Sequence, residues 1–256
     1  MSPRERISQA IRAAAAGGEP ALVAYLTAGY PQRERFREHV HALATGAEVV
    51  EIGVPFTDPM ADGVTIQRAS LAALAQGVSL EWILAELQQI RGVSVPLLLM
   101  SYLNPLLAFG LERLAQRAAR AGVAGFIVPD LPLEESSELR AALDAERLAL
   151  VQMVTPVTEP ARLQQLCAGS QGFVYAVTMT GTTGKHVAVP DEVLSYLDRV
   201  RAGSPIPVCA GFGIRSREQV RRLRGHVDGV VIGSALVEVL ERGEDPAAWL
   251  RQLSLN

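Results

Sequence analysis

The sequence predicts an α/β chain folded as a (β/α)8 barrel with an extra N-terminal helix and an enlarged loop after strand two. Three observations carry this expectation. Eight short apolar runs alternate with amphipathic helical stretches along the 256 residues. Most of these runs stop at glycine or proline turn chemistry. They recur roughly every 25–30 residues, except after the second, where the interval nearly doubles; a whole TIM barrel takes about 250 residues. An open doubly wound sheet uses the same alternation. Eight units and no second composition zone favour the closed form, as a single domain over residues 1–256.

In chain order, Ser2-Pro3 sets an N-cap followed by proline at the first helical position. Ile7, Ala10, Ile11 and Ala14 then recur at helical spacing until Gly17-Gly18 ends the helix. Ala21 to Ala28 is the first strand, stopped by Gly29-Tyr30-Pro31. Phe36, Val40 and Leu43 mark one face of the next helix, and Val49-Val50 is the second strand, leading into Glu51. The material inserted after it is the loop from Gly53 to Gly63 and a helix from Thr65 to Ala75. Pro96 to Ser101 is the third strand, closed by Tyr102-Leu103-Asn104-Pro105. Gly125 to Val128 is the fourth, closed by Pro129-Asp130-Leu131-Pro132. Leu148 to Val154 is the fifth, ended by Thr155-Pro156, and Phe173 to Val177 is the sixth. Pro207 to Ala210 and Val230 to Ile232 complete the set. Among the helices, Val193, Leu194, Leu197 and Val200 share a face, and Ser216-x-x-Gln219 forms a capping box. Asp245-Pro246 caps the last helix, whose apolar face is Trp249, Leu250 and Leu253.

Composition narrows the function. Hydrophobic residues make up 49% of the chain, enough for a full core, and the net charge is −3 with a pI of about 5.9. That balance lacks the basic excess of a nucleic-acid surface. Cys167 and Cys209 sit among apolar or small residues and are expected as buried thiols in a reducing, cytoplasmic setting. The four histidines show no metal-ligand spacing beyond His39-x-His41, so no metal is expected. No apolar run follows Arg4 and Arg6, so no signal peptide is expected, and no stretch approaches the ~18 apolar residues of a membrane helix.

The densest chemistry lies in Glu51-Ile52-Gly53-Val54-Pro55-Phe56-Thr57-Asp58-Pro59-Met60-Ala61-Asp62-Gly63. Glu51 is expected at the end of a buried strand, and Asp62 returns over it on a loop stiffened by Pro55 and Pro59. Two carboxylates in different environments can hold different pKa values and divide acid, base and hydrogen-bonding work. The alternative is a solvent-facing strand-end charge followed by ordinary turn aspartates. Position favours the functional pair, because enlarged βα loops lie at the catalytic end of such barrels.

Three glycine-bearing loops follow strands six, seven and eight: Gly181-Thr182-Thr183-Gly184, Gly211-Phe212-Gly213 and Gly233-Ser234. The last opens a helix whose free N–H groups can face an anion. Backbone amides at Gly211, Gly213 and Gly233, with Thr183 and Gly184, predict a phosphate site. Gly211-x-Gly213 lacks the third glycine of a dinucleotide fingerprint, and Gly184-Lys185-His186 lacks the P-loop pattern, so a small phosphorylated substrate is expected rather than a nucleotide. Tyr25, Tyr102, Tyr175 and Phe212 fall at or near strand C-termini, where they can wall a flat apolar ring or simply pack.

These segments closely resemble the tryptophan synthase alpha chain family over almost the whole chain. The most specific match is Glu51-Ile-Gly-Val-Pro-Phe-Thr-Asp-Pro with Ala61-Asp62-Gly63 and Ile66-Gln67. Tyr25-Leu-Thr-Ala-Gly-Tyr-Pro31, Tyr102-Leu-Asn-Pro105, Pro129-Asp-Leu-Pro132 and Gly211-Phe-Gly213 follow in the family's order. The resemblance implies a lyase that splits indole-3-glycerol phosphate into indole and glyceraldehyde 3-phosphate. It also implies a partner beta chain, in an alpha2-beta2 assembly, that carries pyridoxal phosphate; no cofactor is implied in this chain. By the same resemblance Glu51 is the acid–base residue and Asp62 accepts from the indole N–H. Met100, Tyr102, Ile127 and Phe212 line the indole pocket, Tyr175 lies near the reacting groups, and Gly184, Gly213, Gly233 and Ser234 hold the phosphate. Thr183 packs against Asp62, and Pro55 and Asp58 belong to the loop that meets the beta chain. Val64 stands where the family usually has proline, Thr182 where it has valine, and Met100 where leucine is common. A stand-alone lyase releasing free indole is the alternative, and a phosphate-binding barrel isomerase or a subunit without catalysis are further ones.

Overall fold

The computed structural model describes residues 1–178, 189–211 and 213–254. Eight parallel strands close into one barrel in sequence order, with β8 pairing back onto β1. The strands are β1 (Ala21–Thr27), β2 (Val49–Gly53), β3 (Leu97–Met100), β4 (Val123–Ile127), β5 (Ala149–Val154), β6 (Val174–Val177), β7 (Val208–Gly211) and β8 (Gly229–Ile232). Around them run α1 (Pro3–Ala16), α2 (Phe36–Ala44), α3 (Val64–Ala75), α4 (Leu80–Gln89), α5 (Leu103–Phe109) and α6 (Leu111–Arg120). The rest are α7 (Ser137–Ala145), α8 (Pro160–Gly169), α9 (Asp191–Gly203), α10 (Arg217–Leu223), α11 (Ser234–Glu241) and α12 (Pro246–Leu253). Short 3-10 turns cover Arg33–Arg35 and Leu133–Glu135.

Alternation along the strands divides the core. Outward residues such as Leu22, Val50, Ile52, Leu99 and Phe126 pack under the helices. Inward residues Val23, Val49, Leu98, Ile127, Val151, Phe173, Tyr175 and Cys209 fill the barrel. Both cysteines are buried and free. Helix α1 starts with the expected cap, a reciprocal Ser2–Glu5 capping box followed by Pro3. Its Ile7 and Ile11 are fully buried in the inner cluster, so the helix plugs the barrel floor. It is fastened there by Arg4 N to Arg147 O at 3.3 Å, Arg6 Nη2 to Ser94 O at 2.6 Å, Ser8 Oγ to Gly172 O at 2.5 Å and Arg12 Nη2 to Pro205 O at 3.0 Å.

One expectation needs correcting. Glu51 does not end its strand; β2 runs on to Gly53, in register with Tyr25↔Glu51 and Thr27↔Gly53. The apolar run breaks at Glu51 because Glu51 and Gly53 take inward positions that hydrophobic residues would otherwise occupy.

Candidate active site

Glu51 is 1% exposed on the inner wall, between Tyr25 of β1 and Leu98 of β3. The tyrosines beside it need space. A Cβ on Gly53 would come within 2.1 Å of Tyr25 Oη, and one on Gly211 within 2.3 Å of Tyr175 Oη. Gly211 is therefore glycine because the Tyr175 ring lies across it, whatever its backbone does for an anion. Tyr25 Oη lies 3.2 Å from Thr27 Oγ1.

The loop after β2 returns Asp62 to the mouth. Tyr102, just past β3, stacks on Phe56 with ring centroids 5.2 Å apart. Its hydroxyl accepts from Ala61 N at 2.8 Å and lies near enough to the Asp62 carboxylate to favour its charged form. Gln67 on α3 donates through Nε2 to Asp62 O at 2.8 Å and to Pro59 O at 3.4 Å. Pro55 is buried at the loop's base, whereas Asp58 is exposed at its tip, with Thr57 Oγ1 donating to it at 2.5 Å.

The two carboxyls differ as a working pair should. Burial, then the nearby charge of Asp62, pushes the Glu51 carboxyl up to about 8. Burial raises Asp62 to about 6, held back by the Tyr102 hydroxyl. Among the described residues no donor reaches Glu51 Oε2, so one oxygen of this buried acid is left unpartnered. Between those two values Glu51 carries the proton and Asp62 the charge. Burial and the same two carboxylates push the Tyr25 and Tyr175 phenols well up, so both stay neutral donors.

Met100 and Ile127 sit at matched register on β3 and β4 and line the same inner wall. Met153, the last inward residue of β5, joins them opposite Tyr175. Sequence reading missed it; its place two and four residues after Val151 and Ala149 was the available signal. On the far side, Gly213 takes a left-handed φ of 79°. Gly233 caps α11, and Leu236 N and Val237 N both bond its carbonyl, at 2.9 and 3.2 Å. That leaves the first-turn amides of Ser234 and Ala235 for an anion. Thr183, Gly184 and Phe212 lie outside the described residues, as does Thr182.

The barrel mouth thus brings together two buried carboxyls held in different states, apolar side chains of β3 to β5, and the first turn of α11. The family profile described as "Tryptophan synthase alpha chain" matches residues 11–256. The alpha chain of Nitratidesulfovibrio vulgaris is 45% identical over 248 residues, 96% of each chain. That of Solidesulfovibrio magneticus is 46% identical over 242 residues, 94% of each. Among solved structures, tryptophan synthase from M. tuberculosis in an open form superposes with a TM-score of 0.87 at 35% identity, covering 97% of this chain and 96% of that one. The alpha subunit from Legionella pneumophila gives 0.85 at 32% identity, covering 97% and 95%. Similarity of this extent, end to end and across both sequence and fold, makes the chain a member of the tryptophan synthase alpha chain family.

Proposed function

We propose that Glu51 and Asp62 carry the carbon–carbon cleavage of indole-3-glycerol phosphate to indole and glyceraldehyde 3-phosphate, with Glu51 shuttling one proton. The chain is a lyase of tryptophan biosynthesis that works as the alpha subunit beside a beta chain, and pyridoxal phosphate belongs to that beta chain. The observation that carries the residue roles is the burial of Glu51, 1% exposed with one oxygen unpartnered among the described residues, beside the carboxylate of Asp62; this pushes Glu51 up to about 8 and Asp62 only up to about 6. Near neutrality protonated Glu51 gives its proton to indole C3, and positive charge develops on the ring. Ionised Asp62 accepts from the ring N–H and stabilises that charge. The Glu51 carboxylate then takes the proton of the side-chain hydroxyl. The O–H electron pair becomes the aldehyde C=O, and the pair of the breaking C–C bond returns to the ring. Glu51 ends as it began. Met100, Tyr102, Ile127 and Tyr175 wall the ring, and Gly213, Gly233 and Ser234 hold the phosphate through backbone groups. Asp58, exposed at the loop's tip, forms the edge that meets the beta chain, and Pro55, buried in this chain, stiffens the base of that loop and makes no partner contact of its own. A cytoplasmic setting suits the two buried thiols.

The test is indole release across pH, with and without a beta chain. The kcat/KM profile should rise through about 6 as Asp62 ionises and fall through about 8 as Glu51 loses its proton. A profile flat over that range removes the pair from the mechanism. Equal rates with and without the beta chain would replace the subunit reading with a stand-alone lyase.

Two further results are expected. Tyr102→Phe removes the acceptor of Ala61 N and the hydroxyl beside Asp62. Turnover should fall about 5–30-fold, the factor that one to two kcal/mol makes. The rising limb should also shift above about 6, because the hydroxyl that lowers Asp62 is gone; an unchanged limb would free Asp62 from Tyr102. Gly233→Val should raise KM steeply. Among the described residues a Cβ there meets Tyr25 Cδ1 alone, at 3.9 Å, so the backbone leaves room for a side chain that enters the space assigned to the anion. Lys185→Ala should change KM far less, and equal losses would move the site.

A further inference from the structure

Two helices frame the mouth, and each begins at a working part of it. Helix α3 starts at Val64, two residues after Asp62. Helix α11 starts at Ser234, next to its cap Gly233. Side chains tie the two at successive levels. Thr65 Oγ1 donates to Glu238 Oε1 at 3.4 Å. Arg68 Nη2 donates to both oxygens of Glu241, at 2.6 and 2.8 Å. Thr65 and Arg68 share one face of α3 at i, i+3 spacing, and Glu238 and Glu241 do the same on α11.

Glu238 has a second partner. Arg215 donates through Nη1 and Nη2 to its two oxygens at 2.7 and 2.8 Å, a bidentate fork. Arg215 follows Gly213 by two residues. Gln219 fastens the same segment, accepting from Arg215 N at 2.8 Å and donating to Gly213 O at 3.2 Å. The Glu238 carboxylate thereby joins the Gly213 loop, the body of α11 and the first turn of α3.

We infer that Arg215, Glu238 and Arg68 are positioning residues that couple phosphate occupancy to the placement of Asp62. The inference rests on the phosphate reading above. An anion drawn onto the Gly213 loop and the first turn of α11 fixes these two parts against each other. The bonds to Glu238 and Glu241 pass that constraint to α3, which carries the chain out of Asp62-Gly63. The phosphate then does more than add affinity: it sets the geometry of a group that touches the ring. Coupling of this kind is typically worth about 5–150-fold.

The test separates the substrate into pieces. The full chain, with its beta chain, is given indole-3-glycerol without its phosphate, and inorganic phosphate is added. In the parent, phosphate should accelerate indole release saturably, by about 5–150-fold. Arg68→Met and Glu238→Gln should bind phosphate by calorimetry yet lose most of the acceleration, and Arg68→Lys should keep part of it. With the whole substrate, Arg68→Met should lower kcat and leave KM nearly unchanged. Arg4→Met, which breaks an exposed ion pair to Asp144 at the floor, should behave as the parent. Thr65→Val, nearly isosteric, replaces Glu238→Gln if that variant does not fold. Phosphate that binds the parent without accelerating it overturns the coupling, and so does full acceleration in Arg68→Met and Glu238→Gln. If phosphate does not bind the parent and Gly233→Val leaves KM unchanged, the phosphate reading itself has failed.

Discussion

Glu51→Gln should fold, gain stability at high pH and lose cleavage. A positioned acid–base group contributes about 10²–10⁴ in rate, and Glu51 acts twice in each turnover, so the loss should sit at the upper end. The amide keeps the shape of the protonated acid but releases no proton. Stability moves the other way. A carboxyl that titrates at 4.5 in the unfolded chain and about 8 in the folded one favours folding fully only below about 4.5. That contribution declines as pH rises and is gone above about 8. Glutamine has no ionised form to bury. Relative to the parent, Glu51→Gln should therefore gain a few kcal/mol by about pH 8, since each tenfold difference in proton affinity between the folded and unfolded chains is worth about 1.4 kcal/mol. Melting curves at acid and alkaline pH read the gain, and indole release reads the loss. Activity within threefold of the parent, or a parent and variant that melt alike at both ends, would take Glu51 out of this role.

Asp62→Asn should lower kcat by about 10²–10³, the cost of removing one preorganised charge stabiliser, with a smaller change in KM. The positive ring exists only during reaction, so its counter-charge acts on the barrier more than on ground-state binding. The substitution should also reshape the pH profile. The rising limb near 6 disappears with the group that causes it. The falling limb moves below 8, because the charge that helps raise Glu51 is gone. A defect confined to KM, or a falling limb that stays in place, would contradict this assignment.

Much of the barrel was legible because its signals are local. Apolar runs of strand length, capping residues such as Ser2 and Ser216, and glycines at loop starts each act within a few residues. The site was partly legible for the same reason, since Glu51 on β2 and Asp62 on the loop after it belong to one short stretch of chain. Where the second strand ends was not, because Glu51 and Gly53 replace apolar residues on the inner face, and the ring that fills Gly53's space comes from Tyr25 of another strand. The hydroxyl of Tyr102 meeting Ala61 N, and the bonds from α3 to α11, join segments 41 and 173 residues apart. No local pattern marks such pairs. The identity of the ring substrate came only through resemblance, since an apolar slot accepts many flat rings.

The plugged floor has a consequence for the order in which the molecule is assembled. Helix α1 precedes every strand of the barrel, yet its anchors are Ser94, Arg147, Gly172 and Pro205, the last of them 193 positions downstream of Arg12. Contacts of that sequence separation are the slowest to close. Until the seventh strand has emerged, Ile7 and Ile11 have no barrel to enter, and the nascent chain carries an amphipathic helix with its apolar face in water. Docking of the first helix and pairing of the last strand onto the first then fall together, at the end. Pulse-labelled hydrogen exchange during refolding should find the α1 amides and the β1–β8 seam protected last and in step; early protection of α1 would mean that the floor templates the barrel instead of sealing it.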